Sequence, residues 1–139
     1  MSDWNDSVIA EFHAGNGVTG RFGHNLVIMH TIGAKSGEVR IAPVMGLPLD
    51  DARSAWTIIA SKGGAPDNPA WYYNLVANPR FDVEAFIDGG ARRVPVTATE
   101  LLDADYDEAW ERMIAVAPGF ADYKTKTERK MPIFLLTRD

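Results

Sequence analysis

Hydrophobic and polar positions along the chain change period several times, and each change predicts an element. Residues 26–32 (LVIMHTI) form a nearly unbroken apolar run, the pattern of a strand buried on both faces. The polar turn IGAKSGEVR leads from it into a second strand over residues 40–47, and residues 54–60 (SAWTIIA) read as a third. Residues 81–87 and 92–99 alternate more openly around Asp88-Gly89-Gly90, a hairpin signal. Residues 132–137 (PIFLLT) close the strand set. Helical spacing occurs in two places. Residues 8–13 read as the end of a short N-terminal helix, and Tyr106, Ala109, Trp110, Met113, Ile114 and Ala117 recur on one face, with acidic residues before them and Pro118-Gly119 after. Asn68 suits an N-cap and Pro69 a first helical position, with Asn78-Pro79 as the stop, so a third helix of two to three turns is expected between them.

Six strands joined mostly by short turns do not make a repeated βαβ pattern. They predict a mainly β fold, an antiparallel sheet or small barrel with helices at its edges, in one domain spanning residues 1–139. Pro43 and Pro95 fall inside strand-like runs, which places them at edges or bulges, where a missing N–H is tolerated.

Charge and composition narrow the chemistry. A net charge of −5 argues against a general nucleic-acid binder. Within that acidic body, residues 123–130 (YKTKTERK) carry four basic side chains against one glutamate, either a solvated face or the counterpart of a specific anion. The absence of cysteine removes disulfide and thiolate chemistry and suits a reducing cytoplasm. The N-terminal MSDWNDSVIAEF has neither secretory nor transit character. No apolar run reaches the roughly 18 residues of a membrane span, so stable membrane insertion is not expected.

Several motifs lead nowhere. Gly15-Asn16-Gly17-Val18-Thr19-Gly20 spells G-x-G-x-x-G, yet a helix precedes it where a dinucleotide site needs a strand. His13, His24 and His30 lack the short spacing of metal ligands, and no metal is expected. No G-x-S-x-G elbow marks a nucleophile.

Two loops carry a positive signal. In Gly33-Ala34-Lys35-Ser36-Gly37-Glu38-Val39-Arg40, a lysine, a hydroxyl and a guanidinium fall within six residues, a set that can grip a phosphate or carboxylate; it equally makes a polar hairpin turn. In residues 60–79 (ASKGGAPDNPAWYYNLVANP), a Lys62-Gly63-Gly64 loop precedes the short helix, whose free N-terminal amides add to an anion cradle. Trp71, Asn74, Leu75 and Asn78 share one face of that helix, which either caps the barrel or also borders a flat ligand.

The pattern T-x-G-x-K-S-G-x-x-R-x-x-P over residues 31–43, the long A-S-K-G-G-A-x-x-N-P-x-W-Y-x-N-L-x-A-N-P over residues 60–79, then P-G-F-x-x-Y and M-P-I-F-L-L, resembles the deazaflavin-dependent nitroreductase/quinone reductase family of actinobacteria. The likeness runs from about Val8 to near the C-terminus. It implies a split β-barrel related to the FMN-binding barrels, and coenzyme F420 as cofactor: a flat 8-hydroxy-5-deazaflavin ring, a phosphodiester and an oligoglutamate tail. Lys35, Ser36 and Arg40, with Lys62 beside them, match the family's phosphate and tail contacts. Ala42, Pro43 and Val44 match the strand lining the cofactor, and Ile59, Ala60, Ser61, Ala70, Trp71 and Asn74 match positions around ring and linker.

The implied activity is hydride transfer from reduced F420 to a small electrophilic acceptor, a quinone, enone or nitro compound. Ser61 and Tyr123 are the implied groups for hydrogen-bonding the ring or protonating the product. Met45, Phe120 and Tyr123 match the acceptor pocket; Met45, Ala117 and Phe120 stand where the best-known nitroreductase members carry tyrosines. Two alternatives accompany this expectation: an FMN-binding barrel reductase, and a non-catalytic deazaflavin carrier.

Overall fold

A computed structural model describes residues 3–60, 68–123 and 130–139, without the side chains of Asp3 and Tyr123. The elements run α1 (Asp3–Ala14), β1 (Leu26–Ile32), β2 (Val39–Met45), β3 (Leu47–Pro48), β4 (Ala55–Ile59), α2 (Ala70–Ala77), β5 (Arg80–Ile87), β6 (Gly90–Glu100), α3 (Asp103–Val116), α4 (Gly119–Tyr123) and β7 (Ile133–Arg138). All strand pairs are antiparallel, in the order β2-β1-β5-β6-β7-β4-β3.

That order forces a barrel. β2 and β3 lie at opposite ends of the sheet, yet a single residue, Gly46, separates them in the chain. One residue spans roughly 3.5 Å, so the sheet must curl until its two edges meet. Gly46 is the junction: its N–H donates to the Asn25 carbonyl at 2.8 Å, continuing the β1–β2 ladder, while Leu47 already pairs with Thr57 on β4. A Cβ at Gly46 would stand 2.6 Å from Val27 Cγ2, so the two edges close around a position with no room for a side chain. The result is a split β-barrel, as the family resemblance implied; of the antiparallel sheet or small barrel that the strand pattern predicted, it is the barrel.

The strand pattern is corrected in two details. The second strand stops at Met45 rather than continuing to Leu47, because the chain passes there from one sheet edge to the other. Pro95 sits in β6, a central strand rather than an edge. Its carbonyl accepts from Asp139 N–H, and N–H and C=O of one strand residue point the same way. The missing donor thus faces the last residue of the chain, beyond the paired part of β7, and costs the β5–β6 ladder nothing. Pro43 does lie on an edge strand. Gly33 and Gly46 donate to Glu38 and Asn25 at the two ends of the β1–β2 ladder, so hydrogen-bonded positions on β2 are even-numbered and the Pro43 nitrogen faces outward.

Alternation assigns the faces. In β5, Phe81, Val83, Ala85 and Ile87 point inward, where they meet Val27, Met29, Trp56, Ile58, Phe134 and Leu136 in the barrel core. β1 is buried on both faces because Leu26 and Ile28 point outward beneath Val8 and Phe12 of α1. Beneath α3, Tyr106, Trp110 and Met113 cover Ile59, Met131 and Ile133. The Asp88-Gly89 hairpin forms as expected, with positive φ at both residues (51° and 85°).

Candidate functional site

The site begins with α2. Eight residues are too few for a helix stable by itself, so tertiary contacts hold it. Full burial of Leu75 contributes about 1.5–3 kcal/mol, and the rings of Trp71 and Tyr72 lie 6.2 and 5.7 Å from that of Phe134. The helix starts one residue later than expected: Pro69 occupies the N-cap position and Ala70 begins the helix, while the Asn78 stop holds. The three consecutive aromatics separate in role. Trp71 packs on the barrel and faces a cleft, Tyr72 donates to Glu100 at 3.2 Å, and Tyr73 is exposed at the cleft's rim. Burial, with Glu100 beside it, pushes the Tyr72 phenol up and keeps it neutral.

The β1–β2 turn stands opposite. Gly33 N–H donates to Glu38 O at 2.8 Å, Gly37 N–H to Gly33 O at 3.0 Å, and Glu38 N–H to Ser36 Oγ at 3.1 Å. A Cβ on Gly33 would lie 2.6 Å from Ser36 Oγ and 3.2 Å from the Glu38 carbonyl oxygen, so a side chain there would force this tight turn to shift. Lys35 and Ser36 are exposed at its tip. Arg40 opens the next strand and pairs with Glu38 at 3.1 Å; both side chains are more than half exposed, so this pair contributes little to stability and Arg40 can exchange partners.

Between turn and helix lies a cleft of about 770 Å³. It brings together seven of the expected cofactor residues: Lys35, Ser36, Arg40, Ala42, Ala70, Trp71 and Asn74. Cations sit on the turn, Trp71 and Ala42 form an apolar wall, and the tail of β2 leads away from the charged end. Pro43 and Val44 continue along β2 outside the cleft lining, half-buried, with Val44 against the barrel core. Ile59 and Ala60 are buried at the end of β4. Met45 and Phe120 each pack against the hydrophobic cluster that contains Ile59. Ser61, Lys62 and the rest of the glycine loop lie outside the described residues, as do the Tyr123 side chain and residues 124–129 of the basic island.

Sequence reasoning did not assign Thr31, Ile41 or Asn5 to the cleft, whereas Tyr73 falls within residues 70–74, the helical stretch expected around the ring and linker. Thr31 stood in the quoted motif without a role. Asn5 carries no local signal, because it reaches the cleft only through the docking of α1 on the outer face of β1.

The histidines have other uses. His13 and His30 each meet one oxygen of Glu84, at 2.9 and 2.8 Å, and His24 stacks on Phe86. Burial alone would raise the Glu84 carboxyl, but the hydrogen bonds and charges of the two histidines outweigh it and hold the group below its ordinary value. Among the described residues no group of three His, Cys, Asp or Glu side chains could hold a metal ion. No helix among them is long and apolar enough to cross a membrane.

A family model described as F420H(2)-dependent quinone reductase matches residues 5–138. The chain belongs to that family. It is 37% identical over 131 residues to an F420H(2)-dependent quinone reductase of Mycobacterium tuberculosis, an alignment covering 88% of this chain and 83% of that protein. Among solved structures it is similar to an F420-H2 dependent reductase at 35% identity and TM-score 0.69, covering 81% of this chain and 93% of the other. A chain described as a domain-swapped dimer superposes with TM-score 0.71 at 31% identity, over 96% of this chain and 97% of that one. A FAD-binding protein of Mesorhizobium loti, at 13% identity and TM-score 0.58 over the whole of this chain and 89% of its own, shares the fold alone.

Proposed function

We propose that this chain binds reduced F420 in the cleft between the β1–β2 turn and α2 and uses it to reduce a small quinone-like acceptor. The observation that carries this reading is the pairing within one cleft of exposed cations and an apolar aromatic wall, in a chain of the F420H(2)-dependent quinone reductase family. The donor set suits the coenzyme. Lys35, Ser36 and Arg40 offer charge and hydrogen bonds to a phosphodiester and acidic tail, and Arg40 can take a bidentate oxyanion in place of Glu38. Trp71 and Ala42 offer a flat ring an apolar surface. The bound coenzyme supplies the hydride; the protein supplies orientation and a dry environment.

β2 then serves as a ruler. From Arg40 to Met45 the strand covers about 17 Å at roughly 3.3 Å per residue, leading from the anion end of the cleft toward the cluster that holds Met45 and Phe120. The acceptor belongs at that far end, where Phe120 presents a ring without a hydroxyl. Ser61 and Tyr123 remain the groups assigned to hydrogen-bonding the ring or protonating the product. The FAD-binding neighbour at 13% identity and the FMN-binding one at 11% bear on the fold alone and do not favour the FMN alternative.

Equilibrium titration of the purified protein with reduced and oxidised F420 tests the reading. Saturable binding in the micromolar range or tighter is expected; no saturable binding to either form overturns it.

A further inference from the structure

We infer that Asn74 and Thr31 are positioning residues: together they form a clamp that fixes the anion-binding turn against the ring-binding helix. Asn74 lies mid-helix in α2, a site where asparagine is a poor choice for helix stability. Its side chain is nonetheless committed on both sides. Oδ1 accepts the Ala34 backbone N–H at 3.0 Å, and Nδ2 donates to Thr31 Oγ1 at 3.2 Å. Thr31 is fully buried, and its hydroxyl in turn donates to the Arg40 carbonyl at 2.6 Å. One amide therefore ties α2 to the residue preceding Lys35, and through one hydroxyl to the backbone of Arg40. One helical turn further on, Asn78 Nδ2 donates to the Ile32 carbonyl at 3.2 Å, a second stitch on the same helix face.

The hydrogen bonds within the turn give it a shape but do not fix its distance from α2; the Asn74 bonds do. A ligand with a flat ring at one end and a phosphate at the other requires that distance to be set in advance. Otherwise, binding the second end must also cover the ordering of the turn. The clamp accordingly acts on the coupling between the two ends and not on either end alone. The Asn74 side chain is engaged within the protein through both its oxygen and its nitrogen, which sets its role apart from that of Lys35 and Arg40.

This inference rests on the F420 reading, and the experiment separates the two. Two ligands are titrated: complete F420, and the bare deazaflavin with a ribityl chain but no phosphate or tail. Thr31→Val removes the hydroxyl at nearly constant volume, and Thr31→Ser retains it. Thr31→Val is expected to weaken F420 about tenfold, the scale of one or two neutral hydrogen bonds, with the bare deazaflavin held within about twofold. Thr31→Ser should recover most of the loss. Equal weakening of both ligands, or no recovery in Thr31→Ser, overturns the clamp while leaving the F420 reading intact. Failure of the unaltered protein to bind F420 overturns both.

A second measurement does not depend on any ligand. Amide exchange of Ala34 should quicken about tenfold in Asn74→Ala, while that of Gly33, bonded inside the turn, stays unchanged. Unchanged exchange at Ala34 would also overturn the clamp.

Discussion

Replacing Gly46 by alanine probes the closure of the barrel directly. The new Cβ would lie 2.6 Å from Val27 Cγ2 and 3.4 Å from both Cβ and Cδ1 of Trp56. Val27 and Trp56 are both fully buried, and a β-branched side chain has few rotamers to retreat into. The overlap must be relieved by shifting strand backbone where the sheet edges join, which by the usual cost of overpacking is about 1–3 kcal/mol. For a chain of this length each kcal/mol moves the midpoint by about 3–5 °C, so thermal melting followed by circular dichroism should show a fall of roughly 3–15 °C. A double-mutant cycle isolates the cause. Val27→Ala removes the clashing methyl, so Gly46→Ala should cost about 1 kcal/mol less in that background. Gly119→Ala serves as the control, because nothing lies within 4 Å of a Cβ built there. A Gly46→Ala midpoint within about 1 °C of the parent, or strictly additive effects in the cycle, would refute the tight junction.

Further outcomes follow from the site and its surroundings. Combined Lys35→Ala and Arg40→Ala should weaken F420 by about 2–4 kcal/mol, because charged hydrogen bonds contribute about 1.5–3 each and do not add fully; titration calorimetry measures it, and the parent's affinity should also fall with rising salt. Glu84 has a folded-state pKa below its ordinary 4.5, so its contribution to stability is present above that value and is lost as pH falls through the folded pKa. Chemical denaturation from pH 6 to pH 3 (about the window of a depressed carboxylate) should show a steeper loss for the parent than for Glu84→Gln. Phe120→Tyr adds a hydroxyl at the acceptor end and should alter kcat/KM among quinones, with F420 affinity changed less than about twofold; an equal change in cofactor affinity would place Phe120 on the cofactor instead.

The strands were legible because their signals are local. Alternation in residues 81–87 and 92–99 and the Asp88-Gly89 turn need only near neighbours, and all reappear in β5 and β6. The closure of the barrel was not legible in the same way. β3 has two residues, too few for any period, and the meaning of Gly46 depends on Val27 and Trp56, which are distant in sequence. The site shows the same division. Glycines and cations marked the β1–β2 turn, Asn-Pro dipeptides marked both ends of α2, and the family resemblance added Ala42 and Ala70, so seven residues of the cleft lining were expected at a cofactor site. Asn5 enters the cleft, and His13 and His30 find Glu84, only through contacts made by packing α1 and β5 against β1. The committed side chain of Asn74 had the same origin. Its helix-face position was visible, but its partners Thr31 and Ala34 lie some forty residues away.

Under the proposed function, the chain catalyses hydride transfer from reduced F420 to a quinone. Steady-state oxidation of reduced F420, followed by the absorbance of the oxidised deazaflavin across a series of benzoquinones and naphthoquinones, tests it most directly. Turnover is expected to saturate in both coenzyme and quinone and to depend on Lys35 and Arg40. Binding of reduced F420 with oxidation no faster than in protein-free solution, for every quinone in the series, would contradict it and leave a deazaflavin carrier.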